Sequence, residues 1–302
     1  MVFRNADLPE LFHRSDAVAI ARQREAVRDT RAQLLLLVLG AGFAALPGGW
    51  KLGSTFQLAH ALSALAYAGV LLATFRASRR RAKSHWQLNR SAAEFIKSMC
   101  WRYSVHGTPF EGGPDHAGSE DLFLTRLEQG LAELRKVGWQ DPRTADASLS
   151  SAPLVTEPMR MLRDKPFGAR KETYVRDRLI EQRNWYHRRT VVSRHATTFW
   201  SVTIALLTLL ALLFGILQTF SLAQSAQMAG VLSAAAAACV AWSEIRRHQP
   251  LIAAHSLVEE DLKTMHTAME TMTEEANWPA AVYETERICS PQHTDWLVRQ
   301  RG

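Results

Sequence analysis

The charged and apolar residues of this chain are separated into long blocks. Three windows contain no Asp, Glu, Lys or Arg, namely residues 32–50, 52–75 and 195–243. A helix needs about 20 apolar residues to cross a hydrocarbon core of ~30 Å. The first two windows therefore fit one span each, and the third fits two. The pattern predicts four transmembrane helices at about 33–50, 55–75, 197–217 and 227–245.

The helices are expected to continue beyond the apolar windows. No Gly or Pro occurs in Glu10–Leu39, Val70–His106 or Ala169–Phe214, so the charged flank of each span can extend its helix. Residues 166 positions apart also correspond, as Glu94–Met99 and Glu260–Met265 do. We therefore predict an all-α membrane protein. Its four spans form two parallel-repeat hairpins, and its cytoplasmic helical extensions form a bundle.

One of these extensions carries a heptad pattern. Apolar residues and one histidine follow alternating steps of four and three, a spacing typical of coiled coils. This seam fits an intramolecular bundle and the stalk of an oligomer equally well. Its members are Leu251, His255, Val258, Leu262, Met265, Met269 and Met272.

The two hairpins are separated by a segment of different composition. We predict a first hairpin with cytoplasmic helices in 1–110, a cytoplasmic linker in 111–169, and a second hairpin with cytoplasmic helices in 170–302. Both ends of the linker are rich in Gly, Pro, Ser and Asp, which favours loops. Between them, a single amphipathic helix from Ser119 to Lys136 is expected to direct four leucines toward a partner, namely Leu124, Leu127, Leu131 and Leu134.

Basic residues cluster at the same end of every predicted span. The net charge is +7, yet the two hairpin loops contain only Lys51. The positive-inside rule then places both termini and residues 76–196 in the cytoplasm. The positions of the basic residues favour a role in orienting the protein in the membrane, with lipid as their partner. They do not favour nucleic-acid binding. The predicted inner-leaflet residues are Arg31, Arg76, Arg79, Arg80, Arg81, Arg194, Arg246 and Arg247.

No catalytic pattern stands out in the sequence. It contains no Gly-rich phosphate loop, no GxSxG and no HExxH, and Cys100, Cys239 and Cys289 lie far apart. We therefore predict no enzymatic activity, no metal site and no cofactor. The three charge-free windows leave the interior of the predicted spans without a charged side chain, which disfavours an ion-coupled pump.

Uncharged polar and small residues recur at helical spacing in two of the spans. Such spacing places them on one helical face. Two interpretations fit: packing inside a four-helix unit, or lining of a water-filled path formed by several copies around an axis. The residues are His60, Ser63, Tyr67 and Thr74 in the second span, and Ser201, Thr208, Gly215 and Thr219 in the third.

Two short motifs flank the hairpins. One reads Tyr174-x3-Arg178-x3-Gln182-x2-Trp185-Tyr186 and leads into the third span. The other reads Glu94-x2-Lys97-x3-Trp101-Arg102-Tyr103 and follows the second span. Both resemble the SLATT family, the SMODS and SLOG-associating two-transmembrane effector domains, and the resemblance covers about 14–110 and 170–300 as two units in tandem. We expect the motif side chains to pack against neighbouring helices.

The resemblance implies a membrane effector of bacterial conflict systems. It leads us to expect a homo-oligomer in the bacterial inner membrane that forms a pore or channel when a nucleotide-signalling partner protein activates it. The alternative is a membrane-anchored helical interaction scaffold without a pore. The heptad seam and the uncharged spans fit this alternative.

Overall fold

The computed structural model describes residues 2–46, 51–52, 56–80, 82–112, 116–220 and 228–289, and this part of the chain is almost entirely helical. The predicted all-α class is confirmed. Two-residue strands, β1 (Lys51–Leu52) and β2 (Phe56–Gln57), pair antiparallel just before α2. The helices are α1 (Glu10–Ala44), α2 (Leu58–Arg80), α3 (Ala82–Ser104), α4 (His116–Lys136), α5 (Ala147–Ser151), α6 (Glu157–Arg163), α7 (Phe167–Tyr174), α8 (Glu181–Thr219), α9 (Met228–Arg246), α10 (His248–Thr271) and α11 (Trp278–Cys289).

Three helical runs in the described residues are long and apolar enough to cross a membrane. They are Leu58–Ser104, Phe167–Thr219 and Met228–Thr271, with 47, 53 and 44 residues. They contain the second, third and fourth predicted spans, apart from residues 55–57 and 227. The first predicted span, 33–50, begins in α1 but ends in residues 47–50, which lie outside the described residues. The count of four spans therefore stays a prediction.

Two local features modify these runs. Between α7 and α8 the backbone forms a π-helical turn, Val175–Ile180, which is wider than an α-helical turn. Between α9 and α10, Arg247 adopts a left-handed conformation with φ of 49°. Pro250 follows in the first turn of α10 and has no N–H to donate to the preceding turn. The α-helical hydrogen bonding of α9 therefore ends at this point.

The chain folds into two compact units. Unit 1 comprises Met1–Gln23, Lys83–Arg189 and Ala254–Gly302, and unit 2 comprises Arg24–Ala82 and Thr190–Ala253. Each unit thus takes residues from both halves of the chain. The predicted division into 1–110, 111–169 and 170–302 concerns sequence order and stays a prediction.

Unit 1 contains the hydrophobic core. Its buried side chains come from the N-terminal segment and from most helices of the unit, and Leu262 and Met269 of the heptad seam are fully buried among them. That part of the seam packs within the chain. Representative core residues are Phe3, Ile96, Leu127, Leu131, Met159, Leu162, Trp278 and Val282.

The segment 111–169 is more ordered than a linker with one helix. In α4, Leu127, Leu131 and Leu134 are buried, whereas Leu124 is 39% exposed and Phe123 is buried beside them. The short helices α5 and α6 replace part of the predicted loops, and the Asp146 side chain caps α5 by accepting from the Ser148 N–H at 3.0 Å. Helices of five and seven residues are too short to show a hydrophobic period.

Unit 2 is formed by the apolar helices. The Ser63 hydroxyl of α2 donates to the Gly40 carbonyl of α1 at 2.8 Å, so these two helices pack closely. In contrast, the most apolar 18-residue window of α8 has no buried residue. Leu206, Leu209 and Leu212 are all more than half exposed. Such a surface is suited to lipid or to another transmembrane helix.

Candidate functional site

A buried ion pair lies at the centre of the motif region in unit 1. The Arg178 guanidinium donates to both carboxylate oxygens of Glu286, from Nε at 2.9 Å and from Nη2 at 2.7 Å. Both side chains are at most 1% exposed. Burial alone would lower the pKa of Arg178, but the Glu286 carboxylate raises it well above its usual value. The two hydrogen bonds fix the orientation of both side chains.

Tyr174 joins this ion pair to a row of aromatic rings. Its hydroxyl donates to Glu286 at 3.0 Å, and burial together with the nearby carboxylate raises its pKa well above the usual value. The ring makes edge contacts with Trp101 at 5.6 Å and with Trp278 at 5.7 Å between centroids. Phe3 continues the row beyond Trp101 at 4.8 Å. Edge-to-face packing of this kind fixes α3, α7 and α11 against one another.

Lys97 of α3 is a buried amine in the same region. Its pKa is lowered to about 8, chiefly because burial disfavours the ammonium form and secondly because the Arg178 charge repels it. The carboxylates of Glu94, Glu181 and Glu286 act in the opposite direction. Glu94 itself forms an ion pair with Arg90 on the same helix. The motif thus places a titratable lysine in a charged, water-poor environment.

The end of the second motif belongs to a separate aromatic group. The Tyr103 ring contacts those of Phe123 at 5.1 Å and Phe110 at 6.0 Å between centroids, in tilted and edge-on arrangements. The buried Arg163 guanidinium lies 4.7 Å from the Tyr103 ring centre and donates to the Tyr103 carbonyl at 2.6 Å. This cluster connects α3 to α4 and α6 and has a packing role.

The end of the first motif packs against the heptad seam. Trp185 and Tyr186 contact each other and the His255 ring at 5.9 and 5.4 Å. The Tyr186 hydroxyl also donates to the Cys289 carbonyl at 3.1 Å. Gln182 is half-buried on the same helix. These side chains pack along α8, and the role of the motif stays a prediction.

A cavity of about 690 Å³ lies elsewhere in unit 1, lined by His106, Thr108, Glu111, Gly112, Arg170 and Glu275 among others. Burial, and then the charges of Arg163 and Arg170, lower the pKa of His106 to about 4. Arg170 donates to the carbonyls of Lys165 and Val105 and bonds Glu275, so its guanidinium is committed within the fold. The cavity wall is thus polar, but the guanidinium group of Arg170 already has hydrogen-bond partners within the fold.

The two polar stripes differ in their surroundings. In α2, Ser63 is bonded to Gly40, and the Tyr67 ring lies 3.0 Å from the position that a Cβ on Gly40 would occupy. His60 and Thr74 are exposed. The stripe on α8 is exposed at Ser201, Thr208 and Thr219 and half-buried at Gly215, and the two threonines donate to their own helix at the carbonyls of Ile204 and Gly215.

The basic residues of unit 2 make several specific contacts. Arg80 pairs with Glu25 at 2.7 Å, and the Arg79 guanidinium lies 4.5 Å from the Phe75 ring centre. Arg31 and Arg246 both contact the ring of Trp242. Arg76, Arg194 and Arg247 are exposed, and the side chain of Arg81 lies outside the described residues.

Sequence reasoning missed the partners of the motif residues. Glu286, Trp278, Arg163 and Arg170 are all buried and bonded, yet none was predicted. One available signal was the i, i+4, i+8 spacing of Trp278, Val282 and Glu286 in α11, which places them on one helical face.

In the described residues no group of three or more His, Cys, Asp or Glu side chains could hold a metal ion. The expectation that the chain is not an enzyme stays a prediction.

These features define an all-helical, membrane-associated protein with a packed polar-aromatic unit and an apolar helical unit. Two family models match it in tandem. SMODS and SLOG-associating 2TM effector domain 3 (SLATT_3) matches residues 9–171, and SMODS and SLOG-associating 2TM effector domain 1 (SLATT_1) matches residues 174–296. The first match covers more than half of the chain, and the chain belongs to the SLATT family. The predicted resemblance and its two units are confirmed. Searches of curated proteins and of solved structures gave no match.

Proposed function

We propose that this SLATT protein is the pore- or channel-forming effector of a bacterial defence system and acts as a homo-oligomer in the inner membrane. In this proposal its termini face the cytoplasm, which the distribution of arginines supports under the positive-inside rule. A nucleotide-signalling partner protein would activate it. Family membership supports the part of this proposal that makes the protein a membrane-associated effector.

The exposed face of α8 carries the proposal. Its most apolar 18-residue window has no buried residue, so a single copy leaves much of this window available to neighbours. Ser201, Thr208 and Gly215 follow one another at intervals of seven on this helix. If α8 helices from several copies surround an axis, this stripe becomes the lining. The α2 stripe is a poorer candidate because Ser63 and Tyr67 are already engaged with Gly40.

Flux measurements with purified protein in liposomes test the proposal. The background variant is Cys239→Ala, because Cys100 and Cys289 are buried. A water-soluble thiol reagent should reduce the flux of Thr208→Cys several-fold. The matched control is Leu206→Cys, an exposed residue roughly opposite on the helix, which should not respond. Absence of flux in any oligomeric state, or equal block of both variants, would contradict a pore lined by α8.

The alternative is a membrane-anchored scaffold. The hydroxyls of Thr208 and Thr219 already donate to helical carbonyls, so these residues can face lipid at little cost. Replacement of both hairpins by unrelated transmembrane hairpins distinguishes the two functions. Retained defence activity would favour the scaffold, and lost activity with a folded unit 1 would favour the pore.

A further inference from the structure

One side of α9 in unit 2 is exposed and consists mainly of small residues. Its members follow steps of three and four, which keeps them on one side of the helix. A Cβ on Gly230 would have no atom within 4 Å. Interfaces between transmembrane helices are enriched in small residues, because these let two backbones approach closely. The α9 face consists of Gly230, Ser233, Ala237, Val240 and Glu244.

One side of α2 in the same unit is exposed and carries large side chains. The α2 face consists of Leu65, Ala68, Leu72 and Arg76, which follow steps of three and four. Leu65 and Leu72 are both more than half exposed. Large side chains of one helix pack well into the spaces that small side chains leave on another. The α2 face and the α9 face are therefore complementary in size.

The two faces also agree in register. Each of α2 and α9 leads from a hairpin loop to the basic end of its span, so the two helices are parallel when two copies share one membrane. Arg76 lies 18 residues after the start of α2, and Glu244 lies 16 residues after the start of α9. At 1.5 Å per residue these distances are about 27 and about 24 Å. Leu72 and Val240, at 14 and 12 residues, keep the same offset.

The charges at the cytoplasmic ends of the two faces are opposite. Glu244 is the one carboxylate of unit 2 outside α1, since Glu25 and Asp29 both lie on α1. Within the described residues, neither Glu244 nor Arg76 forms an ion pair in its own copy. Opposite charges at the same depth attract each other, and complementary charges of this kind fix the register of an interface.

We propose that the α2 face of one copy packs in parallel against the α9 face of a second copy of this chain, with Arg76 bonded to Glu244 of the partner subunit. Each copy offers one face of each kind, so the contact repeats head to tail and closes into a ring when the rotation between copies allows it. This interface rests on the homo-oligomer of the proposed function and names the surfaces that join it. It does not use the α8 residues proposed to line the path.

Disulfide cross-linking between two full-length copies with tags of different size tests the contact. Both copies carry Cys239→Ala, and the other native cysteines, Cys100 and Cys289, are buried. One copy carries Leu72→Cys and the other carries Val240→Cys, and membranes that contain both are oxidised. These positions face each other in the proposed register, so a disulfide-linked heterodimer should form.

The matched control replaces Leu72→Cys by Leu71→Cys, an exposed leucine about 100° away around α2. Its cross-linking to Val240→Cys should be several-fold weaker. Equal yields, or no cross-link from Leu72→Cys, would show that lipid covers the two faces and would overturn the interface. Equally strong linkage of two Leu72→Cys copies to each other would show a two-fold symmetric contact and overturn the head-to-tail arrangement.

A charge exchange tests the ion pair independently. Arg76→Glu and Glu244→Arg each bring like charges together, so each should reduce the oligomeric fraction several-fold, as measured by light scattering in detergent. The double variant Arg76→Glu/Glu244→Arg exchanges the charges and should restore the oligomer. Unchanged oligomers in both single variants, or no restoration in the double variant, would overturn the ion pair. Circular dichroism verifies that each variant is folded.

Liposome flux is measured separately with the same proteins. Cross-linking without flux would support this interface and contradict the pore. Flux without cross-linking would support the pore and overturn this interface.

Discussion

At the scale of single residues, the motif that carried the family resemblance contains one half of a buried polar network. Sequence spacing placed Tyr174 and Arg178 on one helical face, and the structure brings both to Glu286. Glu286 lies 108 residues further along the chain, and a helical period shows which residues share a face but not which face they meet. The ion pair could therefore not be predicted from one sequence, although its arginine could.

Removal of either partner of this ion pair should strongly destabilise unit 1. Glu286→Gln or Arg178→Met leaves a buried group without its counter-charge, which costs about 3–5 kcal/mol. Thermal unfolding in detergent, followed by circular dichroism, measures the loss. The control is Glu284→Gln, which breaks the exposed pair with Arg287 on the same helix and should change stability by under about 1 kcal/mol. Equal effects of the two glutamate variants would contradict a special role for the buried pair.

Lys97 should make stability depend on pH in the alkaline range. Its pKa is about 8 in the folded protein against 10.5 in the unfolded chain, so the unfolded state binds more protons between these values. The cost of burying its charge is complete below pH 8 and disappears as the pH rises to 10.5. At pH 7 this cost is about 3 kcal/mol from the size of the pKa shift.

Lys97→Met removes that cost, and melting temperatures at pH 7 and pH 10 test it. The variant should gain stability over the wild type at pH 7, and its advantage should shrink at pH 10. Other titrating groups cancel in the difference between the two proteins. An advantage that is independent of pH would show that folding does not lower the pKa of Lys97.

At the scale of elements, helices with long stretches free of Gly and Pro were predictable, and short or capped elements were not. Such stretches, Glu10–Leu39 and Ala169–Phe214, cover most of α1 and of α8. The helices α5 and α6 depend on the Asp146 cap and on burial of residues such as Met159, which the local pattern does not show. The π-helical turn at Val175–Ile180 also has no signal in the hydrophobic period.

Contact between α1 and α2 should depend on the absence of a side chain at Gly40. A Cβ there would lie 3.0 Å from the Tyr67 ring, whereas a Cβ on Gly42 would have no atom within 4 Å. Gly40→Ala and Gly42→Ala gain the same helix propensity, about 1 kcal/mol. Gly40→Ala should nevertheless be less stable than Gly42→Ala by about 1–3 kcal/mol, because the ring must move. Equal thermal stability of the two variants would contradict close packing at this point.

At the scale of the whole molecule, composition and charge predicted the membrane helices but not the grouping of residues in space. Family models match the chain as consecutive segments, at 9–171 and 174–296. The compact units instead interleave, since unit 1 takes residues from the beginning, the middle and the end. Sequence order reveals which helices exist, while their assembly depends on long-range contacts such as Trp278 Nε1 to the Val105 carbonyl at 2.7 Å.

The interleaved core has a consequence for synthesis of the protein. The ribosome adds Arg178 108 residues before its partner Glu286. At 5–20 residues per second the arginine waits about 5–20 s for its carboxylate. During this interval both apolar helices of the second hairpin leave the ribosome, whereas α11 is still absent. Membrane insertion can therefore precede closure of the core, and a nascent effector stays incompletely folded until α11 arrives.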